Sequence, residues 1–238
     1  MDKNAENNTP IKNRKRFTKI LNICIIVFAV VLLAVEGVVY YQRSYLTPFW
    51  VNGQSMYPTL NGNALDANGN KLNENSGSAG EGYIVDYGVM DTHKSAINKI
   101  KRFDIIVTKY SKKDTRNKIK RVVGLPGETI YFVNTGKNKE HNGDLYVNDQ
   151  YIEQPIDSFY IQSGNYSSAN VKITLASDEY YVLGDNRAHS SDSSDIGPIK
   201  KEYITGKVIA ICGTAEVFYD GEHYDVKNID YKWPIKVK

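Results

Sequence analysis

Residues 118–134 read KIKRVVGLPGETIYFVN and contain two short runs in which apolar and polar residues alternate, 118–124 and 129–134. Alternation with a period of two is typical of β-strands that bury one face and expose the other. The stretch therefore predicts two β-strands on either side of LPGE.

Runs of the same kind recur on both sides of this stretch, at 104–110, 145–147, 180–183, 207–211 and 217–219. The pairs Asn148-Asp149 and Asp220-Gly221 follow such runs, and residues of these types favour hairpin turns. The pattern predicts a mostly β domain built on an antiparallel β-sheet. Outside the apolar segment described below, the helix expected is one short turn near residues 91–98.

Residues 61–82 differ from this pattern because they are rich in Asn and Gly and contain almost no apolar side chains. Such composition is typical of loops rather than of strands or helices. We interpret 61–82 as a flexible surface loop and assign no chemistry to it.

One apolar segment precedes the predicted β domain. Residues 20–41 read ILNICIIVFAVVLLAVEGVVYY, which as a helix would span roughly 33 Å, enough to cross a bilayer. Glu36 and Arg43 lie where a secretory signal would be cut, so the segment is predicted to remain as a single transmembrane anchor in the lipid bilayer.

The charge distribution predicts how the anchor is oriented. Residues 1–19 hold six Lys or Arg against two acidic residues, a net +4, whereas the whole chain carries +3. Basic segments stay on the cytoplasmic side, so 1–19 is predicted to be a cytoplasmic tail and 42–238 an extracytoplasmic domain. That domain has a net charge near −1, which argues against nucleic acid as a partner.

Cysteine and histidine offer no sign of a disulfide framework or a metal site. Cys24 lies in the apolar segment and Cys212 near the end of the chain, so the two are not expected to pair. None of the four histidines forms H-E-x-x-H, and the serine motifs G-x-S-x-G and S-x-x-K do not occur. No metal and no cofactor are expected.

Four segments together carry a resemblance to a known family. They are NGQSMYPTL at 52–60, RFDIIV at 102–107, KIKRVVGLPGE at 118–128 and GDNRAHSSDS at 184–193. In this order, behind an N-terminal anchor, they resemble the type I signal peptidases. The resemblance implies a signal-peptidase-like catalytic domain and a membrane-bound serine endopeptidase that removes signal peptides. It also implies that Ser55 is the nucleophile and neutral Lys120 the general base.

A lysine can serve as a base only if it loses its own proton, which burial favours. Lys120 lies in a stretch with ten Lys or Arg between Lys99 and Arg121, and taken alone it would be interpreted as part of a solvated hairpin. Strand alternation places Lys120 and Arg121 on opposite faces. We therefore expect Arg121 to be a structural or solvent-facing cation.

The resemblance also implies supporting residues. Gly53 stands where the family can offer a hydroxyl to the oxyanion, so backbone N–H groups, chiefly that of Ser55, are expected to form the oxyanion hole. Ser190 is expected to orient the Lys120 amine by a hydrogen bond.

In the same segment, Asp192 is expected to brace the loop by pairing with Arg187, and Asp185 to support it. Ala188 and Ser194 depart from the residues common in the family, which are an acidic or amide residue and an arginine.

Substrates implied by the resemblance are secretory preproteins with small residues before the cleavage site. Shallow apolar pockets lined by Val51, Met56 and Ile119 are expected beside the serine, with the edge of strand 118–120 pairing to an extended substrate.

Two other functions were weighed. Self-cleaving repressors share a Ser/Lys dyad but carry a DNA-binding domain where this chain has an apolar segment. A membrane-anchored assembly factor for surface proteins, in which catalysis is dispensable, remains the alternative; loss of the serine or the lysine would be its signature, and both are present.

Overall fold

The computed structural model describes residues 9–133, 144–155 and 171–237. It divides into two compact units, Met1–Leu46 and Thr47–Lys238. The first part of the predicted basic tail, residues 1–8, and the last residue of the predicted strand 129–134 lie outside the described residues.

The first unit is one long helix, α1, at Thr9–Tyr45. Its part from Arg16 to Tyr45 is long and apolar enough to cross a membrane, and its large apolar side chains are exposed. The helix continues past both ends of the predicted 20–41; seven of the fifteen flanking residues are Lys, Arg or Gln, which are good helix formers. The predicted single apolar helix is confirmed.

The second unit is mainly β-structure. Its strands are β1 Leu46–Trp50, β2 Ile84–Asp91, β3 Ile105–Thr108, β4 Lys118–Gly124, β5 Thr129–Val133, β6 Asp144–Val147, β7 Gln150–Ile152, β8 Ile173–Thr174, β9 Glu179–Leu183, β10 Ile199–Lys200, β11 Ile204–Tyr219 and β12 Tyr224–Ile235. Two short α-helices, α2 Lys94–Asn98 and α3 Ser193–Ile196, and two 3-10 turns, Arg187–His189 and Lys201–Tyr203, accompany them.

These strands form two sheets. The larger has the order β1-β2-β11-β3-β4-β9-β10, with β12 paired to β11, and the smaller has the order β7-β6-β5-β8. The pairings among β2 to β12 are antiparallel. The predicted fold class, mostly antiparallel β behind an apolar helix, is confirmed.

Strand β4 organises the core because its neighbouring residues contact different apolar clusters. Val123 packs with residues of the smaller sheet and β9, and Val122 packs with Ile106 and Val182 on the other face. Ile119 packs against a third cluster, which includes Val51, Met56 and Leu60. Burying alternate side chains on opposite faces fixes the register of β4, since a shift by one residue would exchange the two faces.

The two edges of β4 are used differently along its length. Lys118–Arg121 pair with β3 on one edge, whereas β9 joins the other edge only from Arg121 onward. Within the described residues, no strand is paired to that second edge at 118–120. The edge is left open where the predicted base lies.

Several predicted boundaries are close to those observed. β4 coincides with the run 118–124, and Asn148 and Asp149, with φ of 49° and 65°, form the two-residue turn between β6 and β7. The runs 207–211 and 217–219 are parts of the single strand β11. The expected turn near 91–98 contains α2, which His93 caps.

Residues 61–82, predicted as a surface loop, form turns and two short bridges, from Leu65 to Lys71 and to Ile84. Three of their five apolar side chains, Ala64, Leu72 and Ala79, are buried. The segment therefore packs against the domain.

Candidate active site

Ser55 and Lys120, 65 residues apart in sequence, meet in the structure. The Lys120 Nζ lies 2.8 Å from the Ser55 Oγ and 3.0 Å from the carbonyl oxygen of Ile119. Lys120 is 3% exposed although it lies in the most basic part of the chain. The interpretation of Lys120 as part of a solvated hairpin is therefore wrong.

Burial changes the acidity of the amine. Removal from water is the main cause that lowers the pKa of Lys120 to about 8; the carboxylates of Asp192 and Asp185 oppose this shift, and the charge of Lys118 assists it. A group with this pKa exists in both protonation states near neutral pH, as a general base requires.

The segment that carries Ser55 is held by its apolar neighbours. Met56 and Leu60 are buried in an apolar cluster with Val107 and Val208. Ser55 therefore directly precedes a buried methionine. The Tyr57 N–H donates to the Gln54 carbonyl, and the Leu60 N–H to the Met56 carbonyl. These turns direct the half-buried Ser55 side chain toward Lys120.

Asn61, fully buried with φ of 59°, ties this segment to β2. Its side-chain amide donates to the Val51 carbonyl at 2.8 Å and its Oδ1 accepts from the Asp86 N–H at 2.9 Å. Its own N–H donates to the Asp86 carboxylate at 2.6 Å. Asn61 was not predicted as a site residue. Its position directly after the motif at 52–60 is the feature of the sequence that could have pointed to it.

Arg121 and Asp185 form a buried ion pair. The guanidinium donates through Nε and Nη2 to the two carboxylate oxygens at 2.8 and 2.6 Å, and both side chains are fully buried. A third nitrogen donates to the Phe103 carbonyl. Of the two roles left open for Arg121, the structure gives the structural one, and it joins β4 to the segment after β9.

The predicted hydrogen bond from Ser190 to the Lys120 amine is not formed among the described residues. The Ser190 hydroxyl donates instead to the Asp192 carboxylate at 2.6 Å. That carboxylate also accepts from the Gly184 N–H and from the N–H and hydroxyl of Ser194, because it caps α3. Ser194 thus contributes directly to the brace around Asp192.

The predicted pairing of Asp192 with Arg187 is also wrong. Arg187 is buried and donates to the Gly184 carbonyl and to the side chain of Gln154. Asp192 has its hydrogen-bonding capacity filled by hydroxyls and N–H groups, so the loop needs no ion pair there.

Asn186 links the GDNR loop to two other segments. Its side-chain amide donates to the Gln54 carbonyl and, at 2.8 Å, to the Glu74 carbonyl in the segment 61–82. Its N–H donates to the Ser55 carbonyl. Together with the bond from the Ala79 N–H to the Asn52 carbonyl, this makes 61–82 a support for the serine segment.

Gly184 lies where these segments cross. A Cβ placed on it would come within 2.2 Å of the Ser190 Oγ and 2.4 Å of the Ser55 carbonyl oxygen. Only glycine permits this approach.

Beside Ser55 and Lys120 lies a cleft of about 550 Å³. Val51, Met56 and Ile119, the residues expected to form substrate pockets, all line it. Gly53 also lines it, and a Cβ placed there would have no atom within 4 Å. In the part of the chain that the structure describes, no group of three His, Cys, Asp or Glu side chains is arranged to hold a metal ion.

The arrangement is one of a serine hydroxyl beside a buried amine, at the end of an apolar cleft with an open strand edge. A family model described as "Signal peptidase, peptidase S26" matches residues 20–212. The signal peptidase I U of Bacillus subtilis (strain 168) is 31% identical over 77% of this chain and 80% of its own length. The signal peptidase I of Bacillus caldolyticus is 34% identical over 66% of this chain and 74% of its own length. The resemblance predicted from the four motifs is confirmed, and the chain belongs to the signal peptidase family, peptidase S26.

Proposed function

We propose that this chain cleaves signal peptides from secretory preproteins by a Ser/Lys dyad, with Ser55 as nucleophile and neutral Lys120 as general base. The observation that carries the proposal is the 2.8 Å separation between the Lys120 Nζ and the Ser55 Oγ, in surroundings that lower the pKa of the amine. A neutral amine at this distance accepts the hydroxyl proton as the oxygen attacks the scissile carbonyl.

The remaining steps use groups that surround the dyad. The oxyanion is stabilised by backbone N–H groups, chiefly that of Ser55, since Gly53 has no side chain to donate. The protonated Lys120 then returns its proton to the leaving amine, and a water molecule activated by the same amine releases the acyl group. The Ser190 and Asp192 side chains hold the loop that closes this side of the site.

The cleft supports the proposed preference for small residues before the cut. An extended substrate would add to the open edge at 118–120 and present alternate side chains to the wall formed by Val51, Met56 and Ile119. Because these residues are packed into the apolar cluster or lie against it, the pockets they leave are shallow.

The membrane helix and the basic tail support an orientation with the N-terminus in the cytoplasm and residues 42–238 outside. In right-side-out membrane vesicles, externally added protease should then digest the domain. In inverted vesicles the domain should be protected. The reverse pattern would contradict this orientation.

The dyad is tested with the full chain in detergent and a preprotein substrate. Ser55→Ala and Lys120→Ala should each abolish cleavage while the chain remains folded by circular dichroism. Lys113→Ala is the matched control, because Lys113 is an exposed lysine away from the cleft, and it should retain full activity. Activity in either dyad variant would refute the assignment.

A further inference from the structure

The cleft that begins at Ser55 has an uneven charge distribution. Its described lining contains three charged residues, Arg116, Lys118 and Lys120, and no carboxylate. The facing wall, residues 47–53, carries no charge. Beyond the dyad, the electrostatic character of the cleft is therefore set by the two cations at its far end.

Arg116 lies in the connection between β3 and β4, and Lys118 is the first residue of β4. Residues 109–118 hold five Lys or Arg and one acidic residue, Asp114. The Asp114 carboxylate is occupied by the Lys118 amine and by the N–H groups of Arg116 and Tyr110. Lys118 is thus partly neutralised.

Arg116 has no such compensation. The described residues give its guanidinium no carboxylate partner, and its side chain is exposed at the cleft. A cation beside an uncharged wall attracts an anion more strongly than one surrounded by bulk water, since low-dielectric walls focus the field.

Arg116 lies two residues before β4 begins at Lys118, so the register of β4 gives the approximate part of a substrate that would approach it. A substrate strand on the open edge has its scissile bond beside Lys120 and Ser55, and both strands advance about 3.3 Å per residue. Arg116 precedes Lys120 by four positions. The substrate residue opposite Arg116 therefore lies about four residues from the scissile bond.

We propose that Arg116 is a specificity-determining residue that favours preproteins with an acidic side chain about four residues from the cleavage site and disfavours those with a lysine there. The inference rests on the proposed function, because it assumes that the substrate lies in this cleft with its scissile bond at Ser55.

The test uses the full chain in detergent and a set of peptides that share one cleavage site with small residues before the cut. Asp, Asn or Lys is placed singly at each position from three to six residues on either side of the scissile bond. At about 50 mM salt, one position should be cut about two- to fivefold faster with Asp than with Lys, and the ratio should approach one at about 500 mM.

Two variants make the test specific to the site. Arg116→Glu should invert the preference at that position. Lys113→Glu changes the net charge of the same connection by the same amount but does not line the cleft, so it should leave the preference unchanged.

Equal cleavage of the Asp and Lys peptides at every position, or the same response to Arg116→Glu and Lys113→Glu, would overturn this inference alone. Failure to cleave even the Asn parent peptides would overturn the proposed function together with it.

Discussion

In the proposed mechanism, the acidity of one side chain, Lys120, sets the conditions under which the site works. Its amine is desolvated, and the two nearby carboxylates restore only part of the stability that the cation loses. Each pKa unit corresponds to about 1.36 kcal/mol of difference between the two protonation states. The reaction therefore depends on how completely the cleft excludes water from this amine.

This acidity predicts the pH dependence of the enzyme. Because burial lowers the pKa of Lys120 to about 8, the neutral form is about a tenth of the total at pH 7 and increases as pH rises. We expect kcat/KM for a preprotein to rise about tenfold per unit below pH 8 and to level off above it. A pH–rate profile checks this, and an optimum near pH 5 would contradict a lysine base.

Gly53 offers a second prediction at the scale of one residue. A side chain at this position would meet no atom within 4 Å, so Gly53→Ser should fold normally. Its hydroxyl would lie near the nucleophile and could donate to the oxyanion, and one such donor is worth about 10²–10³ in kcat where it has been removed from other enzymes. We expect kcat to increase with KM little changed.

The control for this change is Gly53→Ala, which fills the same space without a donor. Equal kcat values for the serine and alanine variants would show that the hydroxyl does not reach the oxyanion.

Among the elements, β4 connects the site to the core. Its Arg121 binds Asp185 on the loop after β9, and the neighbouring Lys120 faces Ser55, so one strand positions both the proposed base and this loop. Breaking a buried ion pair leaves an uncompensated charge, which costs about 3–5 kcal/mol.

Asp185→Asn should therefore lower the free energy of unfolding by about that amount, measured by urea denaturation of the catalytic unit. Lys207→Gln breaks the partly exposed pair with Asp104 and should cost about 1 kcal/mol or less. Similar losses in the two variants would show that the Arg121–Asp185 pair contributes no more than a surface pair.

Strands were predictable where apolar and polar residues alternate in sequence, as in β5 and β6, in which burial alternates as well. β4 and the β6–β7 turn follow local rules, so the sequence pattern located them. β1 and β2 were missed because Thr47, Pro48 and Gly88 interrupt the alternation, and β12 was missed because most of its side chains are exposed. β2 and β12 pair with β11, and β1 pairs with β2, and no local pattern reveals these pairings.

The site also combines features that a local motif reveals with features that depend on the fold. Ser55 and Lys120 were predictable because each lies in a segment with a recognisable motif. The partners of Ser190 and Arg187 were not, since they depend on how α3 begins at Asp192 and on how Gln154, 33 residues from Arg187, packs.

For the whole molecule, the division into two units predicts that the catalytic domain folds without the helix. A chain that starts at Thr47 keeps the packed clusters around Ser55 and Lys120, although it lacks Leu46 at the start of β1. We expect it to cleave a soluble peptide at close to the full-chain rate.

With preproteins held in a membrane, the same truncated chain should be about 10²-fold or more slower, because the helix no longer concentrates enzyme and substrate on one surface. Cleavage of peptide and of vesicle-bound preprotein, measured side by side with both chains, checks this. Equal rates on vesicles would contradict the anchoring role of α1.

The open edge of β4 also bears on self-association. A strand edge with unpaired N–H and C=O groups is a template on which another copy of the chain could pair and start aggregation. Here the edge is three residues long and carries Lys118 and Lys120, and Arg116 stands just beyond it. Lys118 and Arg116 would face like charges if two such edges met, so these two cations help to keep the edge free for short extended chains.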